Sequence, residues 1–211
     1  MNKGKLTVSK TARYFTLGNP DEKVKTVIFV CHGYAQLADE FLKSFEPVLR
    51  DELFIVAPEG LHRFYTKGHE KVVASWMTKI DREDDIQDYI LFLDKLCVEV
   101  MQLFPQKVNV IALGFSQGAA TVSRWIAKGN VEVSEMILWC GFFPPDLELK
   151  NIPKNLNVKL FTASDDRFMS TEEQKKQIIE IKKAIPGVQH FEFQGKHEME
   201  EVALRKLFLE Y

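Results

Sequence analysis

Residues 110–120 read VIALGFSQGAA, an apolar run that passes through a serine flanked by glycines into a stretch of small residues. Gly114, Ser116 and Gly118 form the pattern G-x-S-x-G. A buried strand before the serine and a helix after it are what a nucleophile elbow requires, because the sharp turn crowds its neighbours. The pattern predicts that Ser116 is a nucleophile, the alternative being a tight strand-to-helix turn without chemistry.

Strands and helices are expected to alternate around this motif. The apolar patterns predict strands over 24–31, 53–57, 108–113, 136–140, 158–162 and 191–194, and helices over 41–49, 86–103, 118–128, 172–184 and 198–209. Such alternation is typical of an α/β protein with a mostly parallel sheet and helices on both faces. With the serine motif, it predicts a single α/β-hydrolase domain over 1–211 without a separate cap domain. Residues 1–17 are expected to form an N-terminal edge hairpin, and 58–81 a long loop.

The composition excludes several classes of protein. A formal net charge of −2 without a Lys/Arg block argues against nucleic-acid binding. Three widely spaced cysteines in apolar runs are expected to be buried, reduced thiols rather than disulfides or zinc ligands. No apolar run reaches about 18 residues, and no signal peptide is evident, so we expect no membrane span and a cytoplasmic location. The oligomeric state stays open, and a homodimer is one possibility.

A serine nucleophile needs a base and a group that orients the base. In this fold they follow the serine in the order Asp or Glu, then His. His197 follows the last predicted strand, whereas His190 begins that strand at the wrong end of the sheet, so we expect His197 to be the base. Asp165, just after the strand over 158–162, is the expected acid, with Asp166 as its alternative or as a helix cap. Asp146 is expected to be a solvated loop carboxylate.

The oxyanion of acyl transfer needs two preorganised donors. The backbone N–H of Gln117, just after the nucleophile, is one candidate. The backbone N–H of Tyr34 is the other, because Gly33 lets the chain approach closely. His32 is expected to support this loop rather than to act as a base.

Aromatic and sulfur-containing side chains cluster in two segments that should lie at the carboxyl ends of the strands. We expect an apolar acyl pocket there, and the bulk of these side chains predicts a preference for short acyl groups. The alternative is that these side chains only cover the core, and this applies most to Phe142 and Phe143. The candidate substrate-binding residues are Phe64, Trp76, Met77, Phe142 and Phe143.

The combination of His32-Gly33, the GFSQGAA segment, an Asp after a strand and Gly-x-His197 resembles the phospholipase/carboxylesterase family. Acyl-protein thioesterases and small bacterial carboxylesterases belong to it. The resemblance runs from about residue 24 to the end, and Gln117 is its most specific point. It implies hydrolysis of a small-molecule carboxylic ester or thioester without metal or cofactor, and Trp76 looks like a tryptophan that members carry before the middle helix.

The chain departs from the family pattern at the rim of the site. Tyr34-Ala35 stands near a usual second glycine, Asp166 where proline often follows the acid, and Lys196 where a glycine often precedes the histidine. These departures remove no catalytic group, but they alter the rim of the pocket and so argue against the long-acyl substrates of the family. Alternative functions are a lysophospholipase or acyl-protein thioesterase that acts on long acyl chains, an acyltransferase, and a non-catalytic binding protein on the same fold.

Overall fold

The structure, a computed structural model, describes residues 1–209. Within these residues seven strands form one sheet, and they are β1 (Tyr14–Leu17), β2 (Thr26–Cys31), β3 (Leu53–Pro58), β6 (Asn109–Phe115), β7 (Glu135–Trp139), β8 (Asn157–Ala163) and β9 (Gln189–Phe193). Their order in the sheet is β1-β3-β2-β6-β7-β8-β9, and only the edge strand β1 is antiparallel to its neighbour. A separate hairpin contains β4 (His62–Tyr65) and β5 (Val72–Ser75).

Helices cover both faces of the sheet. Alternate residues of β2 point to opposite faces, so Val27 and Phe29 pack in one hydrophobic cluster and Ile28 and Val30 in the other. The first cluster includes side chains of α2 (Arg82–Met101), α3 (Gln117–Lys128) and α4 (Thr171–Ala184). The second includes those of α1 (Ala38–Leu42), the 3₁₀ segment Lys43–Val48 and α5 (Glu201–Leu209). The predicted α/β-hydrolase architecture is confirmed.

Two local predictions are wrong. In the described chain, residues 1–13 form no strand, so the expected edge hairpin over 1–17 is a single edge strand, β1, that pairs with β3. Residues 58–81 are not an irregular loop, because they contain the antiparallel hairpin of β4 and β5. Both errors have the same cause. Whether a short segment forms a strand depends on the segment it pairs with, and the local sequence pattern does not show that partner.

All three cysteines are free, with Cys31 and Cys140 buried as expected and Cys97 half-buried. Among residues 1–209, no helix combines the length and the apolar character that crossing a membrane requires.

Asp146, which was expected to be a solvated loop carboxylate, also forms an ion pair. Its carboxylate accepts hydrogen bonds from Arg124 Nε at 2.9 Å and Arg124 Nη2 at 2.6 Å, and Arg82 Nη2 lies 2.8 Å away. The Arg124 side chain is only 5% exposed. Hydrogen bonding to Arg124 holds the pKa of Asp146 down at about 2. Asp146 is therefore an exposed turn residue, as expected, but its carboxylate is also the partner of a buried cation.

We expect Asp146→Asn to lower the free energy of unfolding at pH 7 by about 3 kcal/mol, because the buried Arg124 charge loses its counter-ion. Since the pKa of Asp146 is depressed by folding, this stabilisation is present above the unfolded pKa near 4 and is lost as pH falls toward 2. Urea denaturation at pH 7, 5 and 3 should show the difference between wild type and variant shrinking at the lowest pH. Asp88→Asn, an exposed change on α2, is the control, and equal stabilities at pH 7 would contradict the expectation.

Candidate active site

Ser116 lies on a strained turn between β6 and α3. Its backbone has φ 54° and ψ −115°, and its N–H donates to Trp139 O at 2.9 Å. The turn brings backbone segments into close approach, so a Cβ on Gly114 would lie 2.2 Å from Gly118 O, and one on Gly118 would lie 2.0 Å from Cys31 O. Only glycine fits at these two positions, which explains why the elbow carries glycines on both sides of the serine.

His197 approaches Ser116 from the other end of the sequence. It follows β9, and its Nε2 lies 2.8 Å from Ser116 Oγ. His190 is instead inside β9, where its Nε2 lies 2.8 Å from Thr162 Oγ1. The structure therefore brings together the serine and the histidine that chain order singled out, and it places His190 in a structural hydrogen bond.

The carboxylate beside His197 is Asp166, and the expectation of Asp165 is wrong. His197 Nδ1 lies 2.7 Å from Asp166 Oδ2, whereas Asp165 is exposed. Strand β8 extends to Ala163, one residue beyond its predicted end, and the pairing continues as Asp165 N–H donates to Gly195 O at 3.0 Å. The turn toward the site thus begins one residue later than the pattern indicated. Asp166 is not the cap of α4 either, because Ser170 and Glu173 form a capping box there.

The two expected oxyanion donors lie on segments that touch. Gln117 N–H belongs to the first turn of α3, where amides have no helical acceptor. The amides on either side of Tyr34 are occupied, since Gly33 N–H donates to Gln36 Oε1 at 2.7 Å and Ala35 N–H to Ala74 O at 2.9 Å. Among residues 1–209 Tyr34 N–H has no such acceptor. The start of α3 and the Tyr34 loop therefore each present a backbone N–H without an acceptor among residues 1–209.

His32 supports the Tyr34 loop from beneath. It is fully buried, its Nδ1–H donates to Gly33 O at 2.7 Å, and its Nε2 accepts from Gly60 N–H at 3.0 Å. Burial lowers the pKa of His32, which agrees with the neutral imidazole that these two hydrogen bonds require. A ring with both nitrogens occupied does not serve as a base.

The phospholipase/carboxylesterase family model matches residues 12–208. The chain belongs to the phospholipase/carboxylesterase family. Membership makes it a hydrolase of the phospholipase/carboxylesterase type. No curated protein matches the chain at a significant level.

Solved structures share the fold of this family member at low sequence identity. Acyl-protein thioesterase 2 of Zea mays has a TM-score of 0.71 at 12% identity, covering 93% of this chain and 96% of that one. A Bacillus cereus carboxylesterase has a TM-score of 0.69 at 15% identity, with 93% and 91% covered. A phospholipase/carboxylesterase of Dyadobacter fermentans has a TM-score of 0.63 at 16% identity, with 97% and 99% covered.

Trp76 was expected to line the substrate pocket, but in this family member it is a buried core residue. It is fully buried, and its indole Nε1–H donates to His32 O at 2.9 Å. Its backbone N–H donates to Gln117 Oε1 at 3.2 Å, and the same amide oxygen accepts from Ser75 Oγ at 3.2 Å. Trp76 therefore connects the elbow to the Tyr34 loop. The sequence analysis missed this role of the Gln117 side chain, because residues 41 positions apart show no common pattern.

A cavity of about 210 Å³ opens beside the serine, and of the five expected substrate-binding residues only Phe142 lines it. Phe143 is buried in the core, and Met77 packs on the core with its Sδ 3.6 Å from Arg124 Nη1. Phe64 stacks against Tyr34 with ring centroids 5.5 Å apart. The other lining residues are Ser116, Cys140, Gly141, Thr162, Asp166, Phe168, Met169, Gln174 and His197.

Phe168 and Met169 are cavity residues that the sequence analysis missed. Phe168 packs edge-on against His197 with ring centroids 4.6 Å apart, while 65% of its surface stays exposed. The available signal was their position, since they lie two and three residues after Asp166, beyond the carboxyl end of a strand. Cys140 also lines the cavity, but burial raises the pKa of its thiol to about 12, so it is a neutral thiol near pH 7 and a poor nucleophile.

A larger open groove of about 890 Å³ is also lined by His197. It runs between the loop before α1, strand β5 and the segment that follows His197. Its apolar lining residues are Ala35, Leu37, Phe41, Val72, Val73, Phe115 and Met199.

Proposed function

We propose that this family member is a serine hydrolase that cleaves carboxylic esters or thioesters through an acyl-serine intermediate, with short acyl groups favoured. One observation carries the proposal. Ser116 Oγ, His197 and Asp166 form a continuous chain of contacts, 2.8 Å on the serine side of the imidazole and 2.7 Å on the carboxylate side. This is the arrangement in which a base accepts the serine proton and a carboxylate orients the base.

The geometry supports a two-step reaction. His197 Nε2 takes the Ser116 proton as Oγ attacks the carbonyl carbon, and Asp166 holds the Nδ1–H and stabilises the imidazolium. The N–H groups of Tyr34 and Gln117 donate to the oxyanion. His197 then gives its proton to the departing alcohol or thiol. Water repeats the sequence on the acyl-serine and releases the acid.

The two concavities divide the substrate between them. The small cavity contains Ser116 itself and has apolar walls from Phe142, Phe168 and Met169, so we assign it to the acyl group. Its volume of about 210 Å³ is below the roughly 300–1,000 Å³ of typical ligand pockets, which favours a short chain. The larger groove, which His197 also lines, is assigned to the leaving group, because that histidine must protonate the departing atom.

We expect kcat/KM for p-nitrophenyl esters to rise about fourfold per added carbon and to stop rising by about four to six carbons. The increase reflects burial of each methylene, and the limit reflects contact of the chain end with the cavity wall. Phe142→Ala should move the optimum to longer chains, whereas Tyr65→Ala, an exposed residue of β4, should leave it in place. A wild-type optimum at about ten carbons or more would replace the short pocket with the long-acyl function of a lysophospholipase or acyl-protein thioesterase.

A further inference from the structure

Cys140 places a thiol beside the contact between His197 and Asp166. It follows β7 directly, has a positive φ of 47°, and lines the small cavity together with both residues. A thiol sulfur, a carboxylate oxygen and an imidazole nitrogen lie there within 4.8 Å of one another. The proposed hydrolysis reaction makes no use of this thiol.

The chemistry of the three donors is that of a site for a thiophilic divalent cation. Zinc binds sulfur at about 2.3 Å and nitrogen or oxygen at about 2.0–2.2 Å, so donors of a tetrahedral site stand roughly 3.6 Å apart. Side-chain shifts of about 1 Å would bring the donors to that value, because the 2.7 Å between His197 Nδ1 and Asp166 Oδ2 would open and donors as far apart as 4.8 Å would approach. The cavity of about 210 Å³ leaves room for a water molecule as fourth ligand.

The three ligand side chains are largely shielded from solvent. The side chains of Asp166 and His197 are 5% and 10% exposed, and Cys140 is 7% exposed. Interactions of a cation with a thiolate and a carboxylate at such a place are little screened by solvent. The two negative charges also balance the charge of a divalent ion.

We propose that Cys140, Asp166 and His197 form a binding site for thiophilic divalent cations such as Zn²⁺, and that occupation of the site inhibits the enzyme. Binding of the metal does not depend on the proposed function, whereas the inhibition rests on it. The ion takes Nδ1, the nitrogen that faces Asp166, and the thiol proton goes to solvent. The remaining imidazole proton then stands on Nε2, so His197 can no longer accept the proton of Ser116.

Calorimetric titration of the metal-free protein with Zn²⁺ tests the binding. Wild type, Ser116→Ala and Cys97→Ser should each bind one ion with similar affinity, because Cys97 is half-buried on α2 away from the cavity. Cys140→Ser should weaken binding by about 100-fold or more, since loss of even an outer partner typically costs 10–100-fold. His197→Gln is a second variant with the same expected loss. Equal affinities of wild type, Cys140→Ser and His197→Gln would overturn the site.

Hydrolysis rates, each relative to the same variant without Zn²⁺, test the inhibition. Wild type and Cys97→Ser should be inhibited at the concentrations that saturate binding and should recover with EDTA, while Cys140→Ser should need about 100-fold more Zn²⁺. Binding that depends on Cys140 but leaves the wild-type rate unchanged would overturn the inhibitory role. If no ester were hydrolysed, the proposed function would fail, and the calorimetry would still decide the metal site.

Discussion

Replacing Ser116 with alanine should lower kcat for a short p-nitrophenyl ester by roughly 10³-fold or more. The substitution removes the atom that contacts His197 Nε2 at 2.8 Å. It keeps the backbone of the elbow, because alanine has the same Cβ as serine. The free energy of unfolding from urea denaturation should therefore stay close to that of wild type.

Ser134→Ala serves as the matched control for this experiment. Ser134 is exposed, and its hydroxyl donates only to Val110 O at 3.0 Å, at the end of the sheet opposite the elbow. Its loss should leave kcat within about twofold of wild type. A folded Ser116→Ala protein with near-normal turnover would remove the basis of the proposed function.

Replacing Asp166 with asparagine should lower kcat by about 10⁴-fold, the size of effect that follows when a triad carboxylate becomes an amide. Asparagine can present an N–H to His197 Nδ1, which then holds the tautomer that cannot accept the serine proton. The neighbouring substitution Asp165→Asn should change kcat by about twofold or less, because Asp165 is exposed and contributes its backbone N–H to Gly195 O.

The two aspartates form a pair of matched variants that differ by one position. Steady-state kinetics of both proteins, with circular dichroism to verify folding, separates the assignments. If Asp165→Asn were the damaging change and Asp166→Asn the mild one, the acid would be the residue expected from the strand pattern and not the one that contacts His197.

The sequence was sufficient for the parts of the site that depend on chain order and close backbone approach. Gly114 and Gly118 mark the elbow because any larger side chain would collide with backbone atoms. His197 was distinguished from His190 because the first follows β9 and the second is inside it. These features are local, so a pattern of a few residues contains the physical reason for them.

The choice between neighbouring carboxylates required the tertiary structure. Apolar periodicity located β8 correctly but ended it at Thr162, whereas pairing with β9 continues through Ala163. The end of a strand depends on which backbone amides find partners on the neighbouring strand, and this information lies some 30 residues away. An error of one position was enough to exchange an exposed aspartate for the one beside His197.

The sequence by itself determined the fold class, the family resemblance, the elbow serine and the histidine that reaches it, because each follows from local pattern and chain order. Only the tertiary structure decided that Asp166 faces His197, that Trp76 is buried between the elbow and the Tyr34 loop, and that Phe142 lines the cavity while Phe143 packs in the core. Aromatic side chains have the same apolar character in a pocket wall and in a core. Their roles are therefore set by packing against segments distant in the chain, which composition does not encode.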